Sequence, residues 1–251
     1  IYHKSKVLYG IYQARTAIRK VDECILVEGY TDVISLHQGG IENVVASSGT
    51  SLTVGQIGLV KRFTPNIKII YDGDKAGVKA ALRGLDLVLE QDLNVKIVLL
   101  PEGEDPDSYL KAVGPAAFKS YIHDKAQDFI FFKSELLIEE TERDPIKKAA
   151  AVKDIVASIA RIPDGVKRSI YTRECSVLTG LEEDVLIDEV NKQLGIQLRK
   201  RKDEQQRKAQ RAAREQQRPE EELLPSATPQ PLQPVTRSPM SPDEYQERDI
   251  I

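Results

Sequence analysis

The chain has 251 residues, 41% hydrophobic and 30% charged, the composition of a globular protein with length for one or two domains. No apolar run reaches the ~18–20 residues that span a bilayer, no signal-peptide pattern opens the chain, and Cys24 and Cys175 have no C-x-x-C partner, so a membrane protein, a cysteine-rich zinc site and a disulfide scaffold are excluded. The net charge of −3 excludes a wholly basic nucleic-acid coat, but not an enzyme whose carboxylates hold metal.

Ile1 stands where an initiating Met would, and Ile251 ends an unfinished helical pattern, so a piece cut from a longer chain is expected. Residues 21–113 alternate short β-rich runs with helical patterns. The runs are Cys24–Val27, 43–47, 67–71 and 95–100, and their continuous apolar character suits parallel strands covered on both faces. Helices are predicted between them at 31–38, 53–63 and 76–91, the last with Val78, Leu82, Leu85 and Leu89 at helical spacing. Right-handed βαβ crossovers then give an α/β fold, a small doubly wound, mainly parallel sheet.

Residues 114–198 show no convincing strand and predict an all-α bundle. Phe129, Phe132, Leu136 and Ile138 start one helix, and Asp144-Pro145 reads as an N-cap followed by proline at the first helical position. Two shorter helices, 166–178 and 182–194, follow around Thr179-Gly180. All 15 glycines lie at or before Gly195, and seven of the 13 prolines lie between Pro219 and Pro242. Residues 199–218 carry nine Lys/Arg against three Asp/Glu with almost nothing apolar, so either a solvated helix or a basic tether is expected, and the tether is preferred. The whole stretch 199–242 is thus read as a disordered linker, basic and then proline-rich.

The chemistry concentrates where strands end. The first strand runs into Glu28-Gly29-Tyr30-Thr31-Asp32, the third into Asp72-Gly73-Asp74-Lys75, and the fourth into Glu104-Asp105-Pro106-Asp107. Parallel strands all point the same way, so these acids emerge at one carboxyl edge, the edge where open α/β sheets bind ligands. Helix capping accounts for Asp32 or Asp107 alone about as well as ligation does. It accounts poorly for Glu28, Asp72 and Asp74 together. Converging carboxylates repel one another unless they share a cation, and hard oxygen donors select Mg²⁺ or Mn²⁺. Lys75 is placed to reach a phosphate oxygen, or equally to sit in water. Ser48, Thr50 and Ser51 read as helix caps, His3, His37 and His123 as structural, and Tyr30 as packing beside the site.

The set E-G-Y-T-D, A-S-S-G-T-S, Y-D-G-D-K-A-G and L-P-E-G-E-D-P-D resembles, in order and spacing, the Toprim domain of bacterial DnaG-type DNA primases, and the resemblance extends over residues 1–198. Gly77 followed by Val78 departs from the related topoisomerase pattern, which has further acids after its D-x-D. The stretch from His3-Lys4 to Leu8-Tyr9-Gly10 is similar to the family's entry into this domain, and Lys4 matches a lysine of its active centre. Asp243 to Ile251 resembles the start of the helicase-binding domain. The resemblance implies these domains: 1–20, the end of a preceding basic polymerase subdomain; 21–113, Toprim; 114–198, the bundle; 199–242, the linker; 243–251, a truncated helicase-binding domain.

It also implies a nucleotidyltransferase making short RNA primers on single-stranded DNA with two Mg²⁺ or Mn²⁺ ions. Glu28 would be the catalytic glutamate and a ligand of the first ion, Asp72 would bridge both, and Asp74 would bind the second. Asp105 and Asp107 would support the ions, Lys4 would belong to the catalytic set, and Lys75 and Asp32 would serve the nucleotide phosphates. Implied partners are the single-stranded template, NTPs, the RNA–DNA hybrid product and the replicative helicase. A monomer in the bacterial cytoplasm is expected, with zinc confined to an N-terminal domain outside this chain. The alternatives are another Toprim enzyme that cleaves phosphodiesters, nuclease- or topoisomerase-like, and a non-catalytic adaptor that joins helicase to DNA.

Overall fold

The structure is a computed structural model that describes residues 4–48, 52–73, 85–139 and 144–216. Strands β1 (Cys24–Val27), β2 (Val44–Ala46), β3 (Asn66–Tyr71) and β4 (Asn94–Leu99) form a parallel sheet, and β5 (Gln127–Asp128) closes one edge antiparallel to β4. The order is β2-β1-β3-β4-β5, so β1 and β3 are the neighbours at its middle.

The strands are apolar on both faces because both are covered. Cys24, Leu26, Ile67, Ile69 and Tyr71 face one core, shared with Ala14 and Ile18 of α1 (Ile11–Val21), Ile57 and Val60 of α3 (Val54–Lys61), and Leu85, Val88 and Leu89 of α4 (85–90). Ile25, Val27, Ile70 and Val98 face the other, with Val33 and Leu36 of α2 (Tyr30–Gln38) and Leu110, Phe118 and Ile122 of α5 (Pro106–Asp124). The doubly wound expectation is met. Lys68 alternates with these residues yet is only 6% exposed; its ammonium pairs with Glu23 at 2.9 Å, which offsets the cost of burying it.

Of the expected first piece, 1–20, Leu8, Ala14 and Ile18 pack in the first core. The expected line between residues 113 and 114 coincides with a break in α5, two helices joined across non-helical Gly114 (φ 80°) before Pro115, the second of which places fully buried Phe118 under the sheet. The turn chemistry of Gly-Pro hid a helix that resumes at once. The two-residue strand β5 was also missed; it is too short to show alternation.

Beyond it lie α6 (Phe129–Glu139), α7 (Pro145–Ile159) and α8 (Gly165–Thr179), packed into the first core through Phe129, Ile130, Ile155, Val156 and Ile159. Asp144 caps α7 as expected, accepting from the N–H groups of Ile146 at 3.0 Å and Lys147 at 3.2 Å. Buried Lys133 of α6 donates to Ser158 of α7 at 2.8 Å and pairs with Asp154 at 2.9 Å. Ser158 in turn donates to Asp86 of α4 at 2.8 Å, so a polar chain ties the bundle to the sheet's helical cover.

The largest departure is α9, which runs Glu183–Gln216 and contains the stretch expected as a tether. Lys, Arg, Gln, Glu and Ala are strong helix formers, and neither Gly nor Pro occurs from Ile196 to Gln216. Asp203 and Glu204 precede Arg207 and Lys208 by four residues, the favourable order for helical ion pairs. Composition without an apolar stripe thus marks a solvated helix here. The chain divides into two units at the boundary between Lys202 and Asp203. The expected linker beyond 216 and the segment 243–251 lie outside the described residues.

Candidate active site at the carboxyl edge of the sheet

Glu28 and Asp72 leave adjacent strands. In the register of β1 and β3, Leu26 pairs with Ile69, so Glu28 stands beside the end of β3 at Tyr71, one residue before Asp72. Glu28 is exposed and Asp72 half-buried. The charge of Glu28 reaches Tyr71, whose phenol is raised well above its ordinary value, first by burial and then by that carboxylate.

Asp32 sits one helical turn further on and is buried, 8% exposed. Its Oδ2 accepts the Gly29 N–H at 3.0 Å, closing the first turn of α2. Gly29 permits this approach, since a Cβ there would lie 2.8 Å from the same oxygen. Burial raises the Asp32 pKa above its ordinary value; the Gly29 bond works against this, and the charges of Asp105, Asp107 and Glu28 add to it. This edge is therefore a region of concentrated negative potential. A carboxylate in such a field cannot bind phosphate directly, and the expected phosphate role of Asp32 could act only through a cation.

The loop that carries Asp72 is pinned by backbone. The N–H of Gly73 donates to Glu104 O at 3.1 Å, and a Cβ on Gly73 would lie 1.9 Å from Pro101 O. Only glycine fits between the two aspartates of D-G-D, because the loop after β3 lies flat against the loop after β4. This close approach is the physical content of the motif.

The acids of the loop after β4 have protein partners. Asp105 caps α5, accepting Ser108 N–H at 2.7 Å, while the Ser108 hydroxyl donates to Glu104 at 2.6 Å. Asp107 pairs with Lys111 at 2.7 Å and accepts the Ser35 hydroxyl, joining α5 to α2. The Lys111 and Ser35 bonds hold its carboxyl below the usual range. Both residues shape the edge and its field, and protein donors occupy both carboxylate oxygens of Asp107 and one of Asp105.

Lys4 lies exposed in a 3₁₀ turn, Lys4–Lys6, on a segment clamped at the same end of the sheet. The clamp is Gln56, fully buried in α3, whose Nε2 donates to Lys4 O at 3.2 Å and Val7 O at 3.0 Å. Its Oε1 accepts Thr53 N–H at 3.1 Å, and the Thr53 hydroxyl donates to Ser5 O at 2.6 Å. Sequence reasoning missed Gln56; the T-x-x-Q capping box at 53–56 was the available signal. Ser48, expected as a cap, instead adopts φ 55°, and its buried hydroxyl has no hydrogen-bond partner among the described residues. Tyr30, expected to pack, is 56% exposed and leans on Tyr9 with ring centroids 5.9 Å apart. Asp74, Lys75, Thr50 and Ser51 lie outside the described residues.

Among the described residues, no three His, Cys, Asp or Glu side chains gather tightly enough to hold a metal ion by themselves. The donor set nevertheless fits a hard divalent cation: Glu28 and Asp72 are carboxylates just past the ends of adjacent strands. Among the described residues no helix is long and apolar enough to cross a membrane.

Comparison with known proteins agrees with this geometry. A family model described as Toprim-like matches residues 25–110, the sheet and its carboxyl-edge loops. The DNA primase of Halalkalibacterium halodurans is 35% identical over 190 residues, covering 75% of this chain and 32% of the relative. These matches support a DnaG-type primase fragment. The chain spans about a third of the length of the curated primases it matches. The crystal structure of a DNA primase domain from Pseudomonas aeruginosa superposes with a TM-score of 0.69 at 36% identity, over 76% of this chain and 61% of that one. A structure of the DnaG primase catalytic domain bound to ssDNA gives 0.63 at 32% identity, over 70% and 57%. A second family model, the DnaB-helicase binding domain of primase, matches residues 143–184. That match falls on α7 and α8, whereas the expectation placed the start of such a domain at Asp243.

Proposed function

We propose that the chain carries the metal-dependent catalytic part of a DNA primase, which builds short RNA primers on single-stranded DNA by nucleotidyl transfer. The observation that carries this reading is the placement of Glu28 and Asp72 past the ends of adjacent parallel strands, at an edge whose acids add to the effect of burial in raising Asp32. Glu28, Asp72 and Asp74 are the residues that would hold Mg²⁺ or Mn²⁺. Two such ions supply activation of the attacking 3′-hydroxyl and neutralisation of the departing pyrophosphate. The chain's own contribution is position. The parallel sheet fixes the two carboxylates, the Gly73–Pro101 contact fixes the Asp72 loop, and Gln56 fixes the segment bearing Lys4. Lys75 and Lys4 are the cations proposed for the nucleotide phosphates or the active centre; Asp105, through its cap, and Asp107, through Lys111 and Ser35, would support the edge and its ions.

The template partner is proposed from the fold shared with a DnaG catalytic domain bound to ssDNA. The helicase partner is proposed at α7 and α8, where the helicase-binding family model matches and where Ile146, Val166 and Val177 are 83%, 71% and 73% exposed. Such exposed apolar side chains suit a protein contact.

A chimera tests the reading. Residues 4–198 would replace the matching segment of the Pseudomonas aeruginosa primase, and primer RNA would be measured with template, NTPs and Mg²⁺. Synthesis by the chimera and its loss on Asp72→Asn are expected; equal yields from the two would contradict the proposal.

A further inference from the structure

Residues 199–216 carry eight Lys/Arg against three Asp/Glu, a net +5, while the remainder of the chain carries −8. The excess positive charge of an acidic protein is thus concentrated on half of one helix. Every residue from Arg199 to Gln210 is exposed, and Leu198 is the last apolar side chain larger than alanine before residue 217. At ~1.5 Å per residue these 18 positions extend over about 27 Å.

We propose that this distal half of α9 grips single-stranded nucleic acid through its phosphates, without reading sequence. The choice of a nucleic acid rests on the polymerase reading above; the charge and exposure do not. Successive helical residues point about 100° apart, so Arg199, Lys200, Arg201 and Lys202 face all sides of the helix. An acidic protein surface meets one side of a helix and takes its energy from buried apolar or aromatic anchors, which this stretch lacks. A flexible phosphate chain can follow charge around the helix and needs no anchor. The absence of Tyr, Phe and Trp from 199–216 leaves no platform for stacking bases, so contact is with phosphate alone. Like charges at helical spacing, such as Arg199 with Lys202, repel one another, and a bound polyanion relieves that repulsion.

The test is binding of a fluorescent 30-nucleotide oligo-dT to the full 251-residue chain, by anisotropy in EDTA, over about 25–200 mM NaCl. EDTA removes any bridging metal, so failure here is separate from failure of the catalytic proposal, which is read by primer synthesis. Arg199, Lys200, Arg201, Lys202, Arg207 and Lys208 are changed together to Gln, which keeps helix propensity. Each lost phosphate contact lowers the slope of log K against log salt by about 0.7, so a fall of about 2–4 and a tenfold or greater loss of affinity at low salt are expected. A second variant, Arg199→Lys with Arg201→Lys and Arg207→Lys, keeps charge and is expected to retain the slope even if packing changes. Unchanged slope and affinity in the Gln variant would overturn the proposal. So would poly-glutamate displacing the oligonucleotide as well as unlabelled oligo-dT does, since that would make the surface one for acidic proteins.

Discussion

The carboxyl edge of the sheet and the distal half of α9 both concentrate charge, and they do so by opposite means. At the edge, acids are held by strands and by backbone contacts so tight that only glycine fits at 73, and burial together with the neighbouring carboxylates raises Asp32. On α9, cations lie on a helix whose described side chains from 199 to 210 are all exposed. Charge fixed against its own repulsion stores energy that a specific cation can release; charge spread in water costs little and gives little specificity. Rigid placement suits chemistry on a few atoms, and solvated placement suits loose grip on a polymer.

The contrast is broken most severely by removing a fixed charge. Asp72→Asn in the chimera should lower primer synthesis by on the order of 10³-fold while leaving the melting temperature within a few degrees, as the removal of charge that holds catalytic ions requires. The backbone contact comes next. Gly73→Ala forces a Cβ into Pro101 O and should cost about 1–3 kcal/mol by urea unfolding. Gly58→Ala in α3, where an added Cβ meets nothing within 4 Å, should instead gain about 0.5–1 kcal/mol. Equal effects of the two would show that the D-G-D loop is not pressed against its neighbour.

Asp32→Asn sharpens the electrostatic half. The folded state binds the Asp32 proton more tightly than the unfolded chain does, so that stability is present below the ordinary carboxylate range and lost as pH rises through the raised value. The amide can still accept the Gly29 N–H. Thermal melts without metal should therefore show the variant more stable than wild type at pH ~7, with the gain vanishing toward pH ~3 and shrinking when Mg²⁺ is added. A gain of constant size across that range would contradict the account. Smallest of all, the six Gln substitutions on α9 should move stability by no more than about 0.5 kcal/mol, as solvated positions do.

The sheet was legible in the sequence because each strand is a continuous apolar run bounded by turn residues, and the acids follow those runs at once. Cys24–Val27 was placed to the residue. The cover of the second face was less legible, because Gly114-Pro115 punctuates α5 like a loop and Phe118 lies beyond it. The distal half of α9 was misjudged for a different reason. Without an apolar stripe, periodicity is silent, and only propensity and the i,i+4 charges of Asp203 and Glu204 pointed to a helix. Glu28 and Asp72 stand where the sequence put them, past the ends of adjacent strands. Gln56 was not legible, since its work is done on backbone carbonyls of residues 49 and 52 positions away, pairings that no local pattern records.

The central claim is that Glu28 and Asp72 form one divalent-cation site. Electron paramagnetic resonance of Mn²⁺ titrated into the chain tests it directly, because bound Mn²⁺ loses the sharp six-line signal of the free ion. The account predicts that the wild-type chain removes that signal, that Glu28→Gln and Asp72→Asn each weaken binding by on the order of tenfold or more, and that the α9 Gln variant binds as wild type does. Mn²⁺ binding of equal strength in wild type, Glu28→Gln and Asp72→Asn would contradict it.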